Sequence, residues 1–132
     1  MTAFDGPKPD VYPILRYRDA HAAIDWLCQA FGAEKLLVVP MDDGSVRHAE
    51  LKLGNGAIML GGDRDDEWGK VGTAAVYVAI SDPDAHYARA KAAGAEIIRE
   101  LNDTPYGSRE YGARDLEGNT WSFGTYHAGD EG

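Results

Sequence analysis

The sequence predicts an α+β fold built from two tandem βαβββ modules, whose strands form a curved mixed sheet with a cleft. Three observations carry this. A helical phrase is written twice, as DAHAAIDWLCQAFGAEK from Asp19 to Lys35 and as DAHYARAKAAGAEI from Asp84 to Ile97. Each copy is preceded by one short extended run and followed by three more, separated by turn signals. The extended runs alternate apolar and polar residues, so each strand has one core face and one other face.

The elements follow in order. VYPILRY is a first extended run. In the first helix Ala22, Ala23, Trp26, Leu27, Ala30 and Phe31 recur at helical spacing and make one apolar stripe. Asp19 suits the N-cap, and Gly32 suits the left-handed position after the last turn. Then come KLLVVPM, the turn DDGS, VRHAELKL, the turn GNG and AIMLGG. Asp-Gly and Asn-Gly are strong hairpin signals. A polar linker, GDRDDEWGKVG, leads to the run TAAVYVAI. The second helix has Asp82 at the N-cap and Pro83 at the first position, where its missing N–H costs nothing. Ala85, Ala88 and Ala92 are expected to face inward, with Gly94 ending the helix. EIIREL, the loop NDTPYGS, REYGARD, the turn LEGN and TWSFGTY complete the second unit. The chain thus reads as a single domain over residues 1–132, with one module at 10–62 and the other at 72–127. One such module is too small to bury its apolar face alone, so the two must pack together.

Composition narrows the function. Thirteen Lys and Arg against 22 Asp and Glu give a net charge of −9. Such a surface repels phosphate backbones and anionic lipid, so neither nucleic acid nor a membrane is expected as a partner. No run approaches the roughly 20 apolar residues of a membrane span. The start, MTAFDGPKPD, has no apolar stretch of the secretory kind. The single cysteine, Cys28, rules out an internal disulfide and fits a reducing compartment, so a cytoplasmic protein is expected.

The strand faces point to a cleft. Ala49, Leu51, Leu53, Trp121 and Phe123 make the core face. Tyr12, Ile14, Arg16, Ala75, Tyr77 and Ala79 fall on the other, a mixture suited to a small-molecule site if the sheet curves. Arg16 there is expected either to clamp an anion in two-pronged fashion or to bridge to Glu50. His48 and Glu50, two residues apart on one strand face, read as a base held by a carboxylate, as two ligands of a metal, or as a polar pair satisfying each other. Tyr106, Arg109 and Tyr111 surround the segment TPYGSREY. Trp26 and Trp121 are expected in the core, Cys28 packed and inert, and His21 and His86 solvated. Trp68, in the polar linker, is expected to cap the cleft or to lie at a dimer contact. No HxH, HxxxH, CxxC or GxSxG spacing occurs, nor a Gly-rich phosphate loop.

The paired modules, LRYRDAHAAIDWLCQAFG and YGSREYGARDLEGNTWSFGTY together resemble the vicinal oxygen chelate superfamily, over about Val11 to Tyr126. That group holds glyoxalase I, extradiol dioxygenases and the bleomycin- and fosfomycin-resistance proteins. The resemblance implies the glyoxalase/bleomycin-resistance fold, and a pocket bordered by the Tyr106–Tyr111 segment. It also implies four metal-ligand positions on the first and last strand of each module. Here these fall on Tyr12, Met59 (or Leu60, with one residue of slack), Ala75 and Ser122. Phenol, thioether, methyl and hydroxyl groups do not make a site for a divalent ion. The sequence is therefore similar to metal-free binders. The expected protein is a homodimer without cofactor or metal, of the antibiotic-resistance type. It would sequester a small aromatic or amphipathic ligand with Tyr12, Arg16, His48, Glu50, Tyr77, Tyr106, Arg109 and Ser122. Two readings compete with it. One is a lyase, isomerase or dioxygenase using a displaced metal or a His48 base; the other is an accessory domain with a vestigial cleft.

Overall fold

In the computed structural model, which describes residues 4, 6–62 and 70–130, both helices begin and end where capping chemistry sets them. Helix α1 (Ala20–Phe31) starts at Asp19, whose Oδ1 accepts the Ala22 N–H at 3.1 Å. It stops at Gly32, whose φ of 75° is the left-handed conformation that glycine adopts without strain. Helix α2 (Pro83–Ala92) starts at Asp82, which accepts the Ala85 N–H at 3.1 Å. Each such cap is worth about 1 kcal/mol.

The stripe of α1 is buried as expected through Ala23, Trp26, Leu27, Ala30 and Phe31, joined by Ala20 and Ile24; Ala22 is exposed. In α2 the expected face is corrected. Ala85, Ala88 and Ala92 are exposed, while Pro83 and Ala90 are buried and His86, Tyr87 and Ala93 half-buried. Both faces have helical spacing. The one carrying the larger rings wins because burial stabilises in proportion to apolar area. His86, expected in solvent, lies 4.3 Å from the Phe123 ring centre. Its Nε2 donates to the Phe31 carbonyl at 3.2 Å, which leaves Nδ1 to accept from the Tyr111 hydroxyl at 2.5 Å.

Among the described residues eight strands form two four-stranded mixed sheets that do not close into a barrel. The first holds β1 (Ile14–Arg16), β2 (Glu34–Pro40), β3 (Val46–Leu53) and β4 (Gly56–Gly61), in the order β1-β4-β3-β2. The second holds β5 (Ala75–Ala79), β6 (Glu96–Asp103), β7 (Arg109–Arg114) and β8 (Thr120–Gly124), in the order β5-β8-β7-β6. Only β1–β4 and β5–β8 run parallel; the other pairs are antiparallel. The registers match. Ile14 faces Met59 and Arg16 faces Gly61, as Tyr77 faces Ser122 and Ala79 faces Gly124.

The two halves share one core. Phe31 of α1 crosses to the second half, with its ring centre 5.2 Å from Trp121 and 4.7 Å from Phe123. Trp26 Nε1 donates to the Ala93 carbonyl at 2.8 Å, and Arg89 of α2 donates to the Cys28 and Gln29 carbonyls at the end of α1. Those carbonyls have no partner within their own helix, so a guanidinium from its neighbour satisfies them. Trp26 and Trp121 are buried, as expected. Cys28 is half-buried, and burial raises its thiol above the usual range, which suits an inert packed residue.

A buried carboxylate locks this arrangement. Among the described residues, Asp115 accepts from Tyr17 Oη at 2.5 Å, Trp121 Nε1 at 3.0 Å and Asn119 Nδ2 at 3.2 Å. The backbone N–H groups of Glu117 and Asn119 add two more bonds, at 3.0 and 3.1 Å. Glu117 in turn accepts the Arg18 and Asp19 N–H groups at 2.6 and 2.9 Å. Burial, and then the charge of Asp115, hold the Tyr17 phenol far above its ordinary value, so it stays a donor.

Two outcomes are expected. Asp115→Ala strands three buried side-chain donors and should cost at least about 3 kcal/mol in urea unfolding, with Asp115→Asn less harmful. Burial, the largest cause, keeps the His86 imidazole below its usual value near 6.5. The unfolded chain then takes up a proton near pH 6.5 that the native state refuses. Stability should be full above that pH and fall below it, by up to about 1.4 kcal/mol per pH unit. Urea midpoints between pH 7.5 and 5.5 should show this slope, and His86→Gln should flatten it.

Candidate functional site

Alternation along the second sheet sends Tyr77 of β5, Ser122 of β8 and Glu110 of β7 away from the helices, because Tyr111, Ala113, Trp121 and Phe123 take the core face. Together with Arg99 of β6 and Tyr106 and Tyr126 from flanking loops, they line an open groove of about 620 Å³. The Glu110 side chain is 4 % exposed. Its Oε1 accepts from Tyr106 Oη at 2.8 Å and lies 3.4 Å from Arg99 Nη2. Arg99 makes its better bond to Ser122 Oγ, at 2.8 Å, and Tyr77 Oη donates to the Tyr126 carbonyl at 2.8 Å. The bond to Glu110 raises the Tyr106 phenol above its usual value; burial, followed by the Glu110 charge, does the same for Tyr77. Both rings stay neutral at physiological pH.

A glycine makes room for this cluster. A Cβ on Gly124 would stand 2.5 Å from Glu110 Cγ and 2.8 Å from Tyr77 Oη, closer than real Cβ contacts allow. The first half repeats the device. A Cβ on Gly61 would meet Arg16 Nη1 at 2.6 Å, so the guanidinium lies where a side chain would otherwise be.

The first half is otherwise different. His48 Nε2 and Glu50 Oε2 are 2.8 Å apart, each side chain about one-third exposed at 36 % and 31 %. Glu50 is thus engaged by its strand neighbour, and the Arg16–Glu50 bridge is not among the described ion pairs. The Arg16 Nε is buried without a hydrogen-bond partner among the described residues. Tyr12 precedes β1 and donates to the Pro9 carbonyl.

Tyr77, Tyr106 and Ser122 of the expected site therefore meet in one groove. Arg16, His48 and Glu50 lie on the first sheet. Arg109 lines neither: it is turned toward α2, with Nε and Nη2 each 3.0 Å from Asp84 and Nη1 3.0 Å from Asp103. Odd and even positions of β7 face opposite ways, so Glu110 enters the groove while Arg109 and the fully buried Tyr111 cannot. Sequence reasoning missed Arg99, Glu110 and Tyr126. The alternation in REYGARD would have found Glu110, since a core Tyr111 puts its neighbour on the other face. His21 is exposed as expected and its Nε2 meets the Gly44 carbonyl at 2.7 Å. Trp68 lies outside the described residues.

A family model described as Glyoxalase/Bleomycin resistance protein/Dioxygenase superfamily matches residues 11–123. The chain belongs to this superfamily. It is 33% identical over 126 residues to the uncharacterized protein Rv0887c of Mycobacterium tuberculosis, an alignment covering 89% of this chain and 74% of that one. It is similar to the crystal structure of TioX from Micromonospora sp. ML1, with a TM-score of 0.77 and 35% identity over 92% of this chain and 99% of that one. The lactoylglutathione lyase of Agrobacterium tumefaciens shares the fold, with a TM-score of 0.68 at 22% identity over 91% and 95% of the two chains.

The divalent metal that the superfamily implies is not suited by this donor set. Leu60 is in the core, so Met59 is the residue on the open face of β4. The Tyr12 phenol is spent on Pro9, Ala75 offers a methyl group, and the Ser122 hydroxyl is held by Arg99. Of the registered neighbours, Ile14 beside Met59 and Tyr77 beside Ser122 add no carboxylate or imidazole, and Glu50, on the other side of Met59, is engaged by His48 at 2.8 Å. Among the described residues no group of three His, Cys, Asp or Glu gathers for a metal. No step through a metal is drawn from these residues.

Proposed function

We propose that this superfamily member binds a small aromatic or amphipathic organic molecule, without a metal, in the β5–β8 groove and so keeps it from its target. The supporting observation is the trio Tyr77, Tyr106 and Tyr126 around the buried Glu110. The groove, at about 620 Å³, falls in the range of small-molecule sites. Ring contacts are worth about 0.5–1.5 kcal/mol each beyond burial, so three rings and the buried area suffice for micromolar binding. On this reading Arg99 and Ser122 orient the ligand, and Arg16 on the first sheet supplies a second polar contact region. The single cysteine and the acidic surface fit a cytoplasmic role.

A second reading has one observation in its favour, the His48–Glu50 contact at 2.8 Å. A carboxylate there orients the imidazole as it would a general base in a lyase or isomerase. The two readings differ in what happens to the ligand.

Thermal-shift screening of flat aromatic antibiotics and carboxylates should find stabilising ligands whose effect survives EDTA and is lost in Tyr77→Ala. Mass spectrometry should recover the ligand unchanged. Hits that persist in Tyr77→Ala would refute the groove assignment, and a transformed ligand would favour the enzyme. The protein should also be a homodimer. β2 and β6 end their sheets, and Leu37 on β2 and Ile98 on β6 are exposed at 44 % and 41 %. Light scattering should give near twice 14.3 kDa; a monomer at micromolar concentration would count against it.

A further inference from the structure

Glu110 turns one acceptor toward the groove. It is 3 % exposed, yet among the described residues only its Oε1 accepts hydrogen bonds, from Tyr106 and weakly from Arg99. The Oε2 has none. It is not a buried atom left without a partner, as Arg16 Nε is among the described residues, so it opens to the groove and is free for a donor from outside the protein. The nearest donors bond elsewhere or to Oε1. The Tyr77 hydrogen goes to the Tyr126 carbonyl, that of Tyr106 goes to Oε1, and the best Arg99 bond goes to Ser122.

The walls around this oxygen are aromatic. The Tyr106 and Tyr126 rings meet edge to face, with centres 5.9 Å apart and planes at 81°, and so form two sides of a corner. Tyr77 adds a third ring; its Oη and Glu110 Oε2 lie 2.8 and 2.9 Å from the point where a Gly124 Cβ would stand. Asp130 also lines the groove, which sets two carboxylates against the single guanidinium of Arg99. Electron-rich ring faces and a carboxylate oxygen with no protein donor attract the same kind of group.

Resting on the groove reading above, we infer that the ligand is an organic cation: an aromatic or amphipathic molecule whose ammonium group donates to Glu110 Oε2 between the tyrosine rings. This reverses the sign expected from Arg16 alone, which pointed to an acidic ligand. Arg99 does not cancel the preference. Its side chain is 48 % exposed and sits on the Oε1 side at 3.4 Å, where solvent weakens the pair. The net charge of −9 acts in the same direction by drawing cations toward the surface.

The test compares three probes of one shape by isothermal titration calorimetry: naphthylmethylammonium, naphthylmethanol and naphthoate. The wild-type protein should bind the ammonium probe about tenfold or more tighter than the alcohol, and the carboxylate weakest. Glu110→Gln, which keeps the shape, should abolish the gap between ammonium and alcohol while the alcohol still binds. If Glu110→Gln does not fold, Asp130→Asn on the exposed tail is read instead and should narrow the gap. Equal binding of ammonium and alcohol, or tightest binding of naphthoate, overturns the cation inference and leaves the groove reading intact. Absence of binding by all three, or binding that Tyr126→Ala leaves untouched, removes the groove reading and the inference with it.

Discussion

The buried Asp115 carboxylate is the contact on which the rest of the molecule depends. Its side-chain donors come from β1's edge at Tyr17, from β8 at Trp121 and from the β7–β8 turn at Asn119. These lie in both halves of the chain. A charge buried in this way is tolerable only when its lone pairs are filled, and filling them fixes where the first half must sit against the second. Glu117 extends the lock through the N–H groups of Arg18 and Asp19, directly before α1. The path of the chain into the first helix is therefore set by a turn almost a hundred residues later.

From that lock follows the position of Phe31, whose ring completes the aromatic packing of the other half with His86, Trp121 and Phe123. The aromatic core claims one face of β7 and β8. What it claims on one face it leaves open on the other, and the groove is the remainder. Glu110 lies beside core Tyr111, and Ser122 between core Trp121 and Phe123. The polar site and the apolar core are thus two sides of the same strands. The two modules carry matching glycines, Gly61 and Gly124, that shelter different side chains: Arg16 in the first half, Glu110 and Tyr77 in the second. One scaffold carries two unlike polar faces.

Much of this is legible in the residues. Helix caps at Asp19 and Asp82, the stop at Gly32, the hairpin turns and the two-faced strands follow from local chemistry that acts within a few residues. Errors arise where two local patterns are equally good. The alanine face and the ring face of α2 have the same spacing, and only packing against Phe31 and Tyr111 chooses between them. Arg109 and Glu110 are neighbours, and a shift of one residue exchanges groove for helix contact. Arg99 and Tyr126 carry no motif at all; they reach the groove through the lateral order of β6 and the path of the chain after β8.

The sequence by itself determined the repeated βαβββ order and the limits of the helices, because each depends on residue type and short-range periodicity. Only the tertiary structure decided which side chains meet. That His86 is packed against the aromatic core, and that Tyr77 and Tyr126 join Tyr106 around Glu110, depend on distances between segments far apart in the chain. Such distances are set by burial and by the satisfaction of buried polar groups across the whole core, which no local pattern records.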